Sequence, residues 1–154
     1  MKQAPRELLE FLDKYDRTVQ SLALGLRSVV HQELAPCHEY IFAMRSKVVL
    51  LYGATERVID DGMCHINVFV HHVNLGFSRG TDFDDGGGML QGTGKAMRHI
   101  SLKTLADLQR SEIRLLLQAA RRDAGLTRTQ RGAVVTRVKS QSPARRAARR
   151  SNFS

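Results

Sequence analysis

Apolar side chains recur with helical spacing through the first third of the chain and predict two helices. The first runs from Arg6 to Tyr15, and the second runs from about Arg17 to Leu34. The second helix has the i, i+3, i+4, i+7 spacing of a buried face, formed by Val19, Leu22, Ala23, Leu26 and Val30. It ends at Ala35 because a residue before proline disfavours the helical conformation. We expect a further helical turn from Pro36 through Met44.

The middle of the chain changes to the two-residue period of β-strands. A run of branched residues, Lys47–Tyr52, predicts a buried strand that ends at a glycine. Met63–Val70 and Val73–Phe77 both alternate between apolar and polar positions, and we expect them to pair as a hairpin. Arg98–Leu102 predicts a further short strand.

A last amphipathic helix follows the strands. Thr104 is a suitable N-cap, Asp107 stands three residues further on, and Gly125 is expected to close the helix. The predicted apolar stripe consists of Leu105, Leu108, Leu115, Leu116 and Ala119. Helices, then consecutive strands, then a helix are typical of an α+β fold. We therefore expect a single antiparallel β-sheet of about four to five strands, with the N-terminal helices and the C-terminal helix packed on it.

The positive charge of the chain is concentrated near its carboxyl terminus. The 154 residues carry a formal net charge of +9. Residues 127–154 hold eight basic and no acidic residues, which leaves 16 basic and 15 acidic residues in the first 126. We therefore predict an almost neutral folded domain over residues 1–126 and a basic, disordered tail over 127–154. Arg-rich tails bind polyanions through their phosphates, so the tail predicts nucleic-acid association through Arg145, Arg146, Arg149 and Arg150.

Cysteine content and hydropathy indicate the compartment. The two cysteines, Cys37 and Cys64, are too few for a secreted disulfide framework. The amino terminus carries acidic residues and lacks a continuous apolar stretch, which is not typical of a signal peptide. No apolar run approaches the roughly 18–20 residues that a membrane-spanning helix needs. These features predict a cytoplasmic protein with no membrane partner.

A glycine-rich stretch with neighbouring cations suggests an anion site. Gly92-Thr93-Gly94-Lys95 is not a P-loop, because Met89 and Ala96 stand where that motif needs a glycine and a Ser or Thr. Backbone N–H groups in a glycine turn can still hold a phosphate or carboxylate. We expect such a site where the hairpin meets the Gly92–His99 turn. The candidate residues are His72, Asn74, Arg79, Lys95, Arg98 and His99.

Metal binding and catalysis have weaker support in the sequence. Asp82, Asp84 and Asp85 cluster in a loop and could attract a hard cation, but they lack the EF-hand pattern. There is no paired Cys/His spacing for a transition metal and no GxSxG elbow for a serine nucleophile. The sequence therefore predicts neither a cofactor nor an enzymatic activity.

Two segments carry a resemblance to a known family. HVNLGFSRG at His72–Gly80 and LQGTGKAMRHISL at Leu90–Leu102, joined by an acidic loop, resemble the YdhG-like domains, whose function is largely unknown. The resemblance covers about residues 6–122. It implies a compact α+β fold with an antiparallel sheet in mostly bacterial, cytoplasmic proteins. Some members of the family are described as frataxin-like iron chaperones, which makes iron an alternative cofactor.

Taken together, these features predict a small, non-enzymatic cytoplasmic domain that binds an anionic small molecule or a protein partner. Two alternatives remain open at this stage. The first is intracellular iron binding and delivery through the aspartate cluster. The second is weak nucleic-acid association through the Arg-rich tail.

Overall fold

A computed structural model describes residues 4–82, 90–126, 132–140 and 143. In this part of the chain, three α-helices and six β-strands form one α+β unit, which confirms the predicted α+β class. The helices are α1 (Arg6–Leu12), α2 (Arg17–Leu34) and α3 (Ser111–Asp123). The strands are β1 (Cys37–Ala43), β2 (Val48–Gly53), β3 (Gly62–Val68), β4 (Val73–Phe77), β5 (Arg98–Leu102) and β6 (Val134–Lys139).

The six strands form a single mixed sheet in the order β5-β4-β3-β2-β1-β6. The strands from β1 to β5 pair antiparallel with their neighbours, and β3 and β4 form the predicted hairpin. β6 pairs parallel with β1 at the edge. The prediction of an antiparallel sheet of four to five strands is therefore matched only roughly, because the sheet has six strands and one parallel pair.

The two strands missing from the sequence prediction are β1 and β6. The segment that begins at Pro36 was expected to be a helical turn, which is wrong, since Cys37–Ala43 is a strand. Its period is hard to recognise because a charged residue, Glu39, occupies a core-facing position beside Cys37 and Ile41. The tail was expected to be disordered, but Val134–Lys139 is a strand within it. The four tail arginines expected to bind nucleic acid, Arg145, Arg146, Arg149 and Arg150, lie outside the described residues.

The helices cover one face of the sheet and enclose the hydrophobic core. All five predicted apolar positions of α2 are buried, and Asp16 caps this helix by accepting a hydrogen bond from the Val19 N–H (2.8 Å). A row of paired, fully buried side chains crosses the sheet on this face: Ile41, Leu50, Ile66, Leu75 and Ile100. Glu39 lies on the same face and contacts Arg27 of α2. The opposite face of the sheet is not covered by these helices.

The last helix begins later than the sequence predicted. The Thr104–Asp107 capping box opens a short 3₁₀ helix at Leu105–Gln109, and α3 starts only after the extended residue Arg110. This break changes the phase of the helix, so the predicted stripe is partly wrong: Leu105 and Leu115 are exposed. Leu116 of the predicted stripe is buried, together with Ile113, Leu117 and Ala120, which were not predicted. The helix closes at Gly125 with a positive φ of 77°, as predicted.

Within the described parts of the chain, no helix is both long enough and apolar enough to cross a lipid bilayer.

Candidate functional site

The sheet face opposite the helices, here called the open face, carries the candidate site. Residues that pair directly across neighbouring strands point to the same face. One such row crosses all six strands: Arg137, Tyr40, Leu51, His65, Gly76 and His99. At the β6 edge of the row, the Arg137 guanidinium lies over the Tyr40 ring, 5.3 Å from its centroid. Leu51 and His65, at the centre of the row, line a cavity.

This cavity has a volume of about 520 Å³. Its apolar walls come from β1 and β2, from the β2–β3 connection and from the loop before β5: Phe42, Leu51, Val58, Ile59 and Met97. Polar side chains are few, namely His65, Ser78 and Lys95. Pro143 also lines the cavity. A mostly apolar cleft of several hundred Å³ with a few polar groups is typical of small-molecule sites.

His65 is the most buried polar side chain of the cavity, with 9% of its surface exposed. Its ring lies directly over Gly76, where a Cβ atom would overlap with Nε2. A larger residue at position 76 would displace the His65 ring from this position. Burial, followed by the charges of Lys47 and His99, lowers the pKa of His65 to about 4. The ring is therefore neutral at pH 7, with one N–H donor and one acceptor nitrogen.

The ring of His65 forms no hydrogen bond with any residue that the structure describes. Its nitrogens are not among the fully buried side-chain atoms that lack a partner, so the ring has access to the space beside it. Here the ring borders an open cavity, which a polar ligand atom can enter. An unpartnered imidazole in an apolar cleft is a specific feature of this site.

The loop before β5 forms one wall of the cavity and brings in Lys95. It is attached to the 3₁₀ turn at Gly80–Asp82, because the Thr81 N–H donates to the Ala96 carbonyl (3.0 Å). Arg98 holds the loop from within, since it donates to the carbonyls of Gly94 and Met97 (2.7 Å to Met97). The Lys95 ammonium makes no ion pair within the described part of the chain. It is the one charged side chain among the described lining residues.

The structure brings only some of the predicted anion-site residues together. Lys95 lines the cavity, and His99 lies in the same row as His65, two strands away. Arg98 supports the loop through its carbonyls, as described above. The remaining three have other partners. Asn74 accepts a hydrogen bond from Ser101 (2.8 Å), His72 stacks on Phe69, and Arg79 pairs with Asp82 and Asp123.

The predicted metal site is only partly described. Asp82 forms an ion pair with Arg79 (3.3 Å), while Asp84 and Asp85 lie outside the described residues. Among the residues that the structure describes, no group of three or more His, Cys, Asp or Glu side chains could hold a metal ion.

The two cysteines are buried thiols without a disulfide. Burial, with a smaller contribution from Glu39, raises the pKa of Cys37 to about 12. Burial also raises the pKa of Cys64 well above its ordinary value. Because the thiolate is the nucleophile, protonated buried thiols are inert. Cys64 thus contributes to the cavity as an apolar group.

A buried charge cluster under the helices was missed at the sequence level. Glu39 is fully buried and accepts hydrogen bonds from four side chains. Arg27 donates from Nε (3.0 Å) and Nη2 (2.9 Å), and the Thr136 hydroxyl of β6 donates at 2.7 Å. The Tyr52 hydroxyl also donates, and His31 Nε2 lies 2.8 Å from the carboxylate. This cluster ties α2, β1, β2 and β6 to one carboxylate.

The pKa of Glu39 reflects two opposing effects. Burial alone would raise it, but hydrogen bonds from His31 and Arg27, with a further one from Tyr52, outweigh burial and lower the pKa to about 2. The carboxylate is therefore ionised at neutral pH, and its negative charge is matched by the buried guanidinium of Arg27. The cluster lies on the helix-covered face, away from the open cavity, and its role is structural.

Comparison of the chain with protein-family models, with curated proteins and with solved structures found no match. The resemblance to the YdhG-like domains therefore stays a prediction.

Proposed function

We propose that this chain is a non-enzymatic binding module for a small amphipathic anion, and that the open-face cavity is its site. The observation that carries the proposal is the neutral ring of His65, without a hydrogen bond to any described residue, in an apolar cavity that Lys95 also lines. The proposal keeps the anionic ligand expected from the sequence and adds that its body is apolar.

The three parts of the site match three parts of such a ligand. The apolar walls favour a hydrocarbon or aromatic body, since its burial removes apolar surface from water. Lys95 provides the positive charge for a carboxylate or phosphate. The His65 ring gains a hydrogen bond that it lacks in the described part of the chain, and such a bond contributes about 1 kcal/mol net. The volume of about 520 Å³ is within the usual range for small-molecule sites.

Binding is favoured over catalysis because of what surrounds His65. A histidine that acts as a general base is held within hydrogen-bond reach of a nucleophile or of an orienting acid. No described side chain forms such a bond with His65. The protonated Cys64 thiol does not supply a nucleophile either.

Octanoate is a suitable probe, since it combines a carboxylate with an apolar chain. We expect it to raise the melting temperature of the protein, because a ligand bound only by the folded state stabilises it. The affinity should fall by about tenfold in His65→Ala, which removes one hydrogen bond. In Lys95→Gln it should fall about fivefold, as expected for loss of an exposed ion pair.

Two controls make this experiment specific. Lys103→Gln removes another exposed lysine that does not line the cavity, and it should leave octanoate binding unchanged. Octanol, which lacks the charge, should bind equally well to the wild type and to Lys95→Gln. Equal octanoate affinity in the wild type, His65→Ala and Lys95→Gln would refute the proposed site.

Iron delivery, nucleic-acid association through the tail, a protein partner and a cytoplasmic location stay predictions. Asp84, Asp85 and the four tail arginines lie outside the described residues, so no observation favours these alternatives over the cavity.

A further inference from the structure

The tight turns at one end of the sheet form a second surface, distinct from the cavity. The β1–β2 turn is closed by a hydrogen bond from the Met44 N–H to the Lys47 carbonyl (2.7 Å), and the β3–β4 turn by one from Phe69 to His72 (2.9 Å). β2 and β3 are neighbours, so the two turns lie side by side. β5 and β6 run toward the same end of the sheet, where Lys103 follows β5 and Lys139 is the last residue of β6. We call residues 44–47, 69–72, 103 and 139 the basic end.

The basic end carries positive charge without matching negative charge. Its cations are Arg45, Lys47, Lys103 and Lys139, and no acidic residue belongs to it. None of the four forms an ion pair with a described residue. Asp107 lies close by, but its side chain accepts hydrogen bonds from the N–H groups of Lys103 and Thr104 and faces Arg110 at 3.8 Å.

Two apolar side chains project from the same turns. Val70 is 59% exposed and Met44 is 47% exposed. The aromatic ring of the β3–β4 turn, Phe69, already has two neighbours. Phe69 stacks on His72 with ring centroids 4.8 Å apart, and the Lys47 ammonium lies 5.8 Å from the Phe69 centroid.

We propose that the basic end binds the surface of an anionic lipid membrane. Lysine and arginine near such a surface are attracted to its negative headgroups. Exposed apolar residues between the cations can enter the boundary between headgroups and acyl chains. In this mode the two turns attach to the membrane surface and no segment crosses the bilayer. The proposal therefore differs from the sequence-based expectation of no membrane partner, which considered only membrane-spanning segments.

The same cations could meet a nucleic acid, but the structure favours lipid. Non-specific binding of single-stranded nucleic acid combines cations with aromatic rings on which bases stack. At the basic end the Phe69 ring has His72 and Lys47 as neighbours, and the exposed groups are Val70 and Met44. Aliphatic side chains at the tips of turns gain more from a hydrocarbon boundary than from a phosphate backbone.

A single introduced tryptophan tests insertion directly, since the chain contains no tryptophan. Val70→Trp places the reporter at the turn, and Leu115→Trp places it at an equally exposed apolar position of α3 (61% exposed). With vesicles of phosphatidylcholine and phosphatidylglycerol, the emission of Val70→Trp should shift to shorter wavelength, and that of Leu115→Trp should not. Vesicles of phosphatidylcholine alone should shift neither. An unchanged Val70→Trp spectrum, or equal shifts in both variants, overturns the proposal.

Charge variants of the 154-residue chain test whether membrane binding depends on the basic end or on charges elsewhere. Removing two cations with Arg45→Gln and Lys47→Gln should weaken partition onto the anionic vesicles by about 30-fold. Lys14→Gln with Arg122→Gln removes the same charge from the α1–α2 connection and from α3, and it should have a much smaller effect. If the first pair instead abolishes binding to a single-stranded RNA oligonucleotide while vesicle binding is unaffected, the surface is a nucleic-acid site and the lipid assignment is wrong.

Discussion

Replacing Glu39 by glutamine is expected to lower the free energy of unfolding by about 3–5 kcal/mol, the usual cost of removing one partner of a buried ion pair. The loss is large because Arg27 remains buried without its counter-charge. Tyr52 and Thr136 also lose a charged acceptor. Urea unfolding at pH 7 measures the effect. Glu10→Gln is the matched control, since it breaks an exposed pair with Arg6 (3.5 Å), and exposed pairs contribute little.

The same carboxylate predicts a pH dependence with a definite sign. The pKa of Glu39 is about 2 in the folded protein and about 4.3 in an unfolded chain. A group whose pKa is lowered by folding stabilises the protein above its unfolded pKa, and this stabilisation is lost as pH falls through the folded value. The difference in unfolding free energy between wild type and Glu39→Gln should therefore narrow between about pH 4 and pH 2. A difference that is constant over this range would contradict the buried, ionised Glu39.

Removing β6 should be the second most damaging change. A chain that ends after Ser140 retains β6, whereas one that ends after Gly132 lacks it. We expect the shorter chain to be less stable by about 3 kcal/mol, from lost burial of apolar side chains and the lost hydrogen bond to Glu39. Val134 is buried, and Thr136 donates to Glu39 at 2.7 Å. Comparing these two truncations isolates the strand from everything that follows it.

Thermal unfolding of both truncated chains, together with their tendency to aggregate, is the measurement. Without β6, the backbone groups along the outer side of β1 lose their partners, and an unpaired strand edge favours association between chains. Identical midpoints for the two truncations would show that β6 is no part of the folding unit. The domain would then end near residue 126, as the sequence predicts.

The sequence pattern predicted those elements in which apolar residues occupy the buried positions and polar residues the exposed ones. α2 has a clean apolar stripe, and the β3–β4 hairpin alternates regularly, so both were predicted with nearly their observed bounds. β1 was missed because the partners of Glu39 come from distant segments, and without them a charged residue argues against a buried strand. Thr136 is 97 residues away from Glu39. β6 was missed because its valines stand among arginines in a stretch that resembles a disordered tail.

The location of the site was partly predictable, and its chemistry was not. The loop with Lys95 was identified from its glycines and cations, and it forms a wall of the cavity. The alternation along Met63–Val70 places His65 on the face opposite the core, but its burial depends on loops that cover that face. Gly76 was the available signal, since a glycine inside a strand often marks the close approach of another group. This signal points to His65 only when the strand register is known, because the register pairs His65 with Gly76.

The central claim, that His65 and Lys95 receive an amphipathic anion in the open-face cavity, is tested most directly by NMR titration of the histidine rings with and without octanoate. A carboxylate that binds beside the ring favours its protonated form, so the pKa of His65 should rise from its value of about 4. The ring signals of His71, which lies in the β3–β4 turn and not in the cavity, should not move. If octanoate saturates the protein while the His65 signals and pKa stay unchanged, the ligand binds elsewhere and the account is wrong.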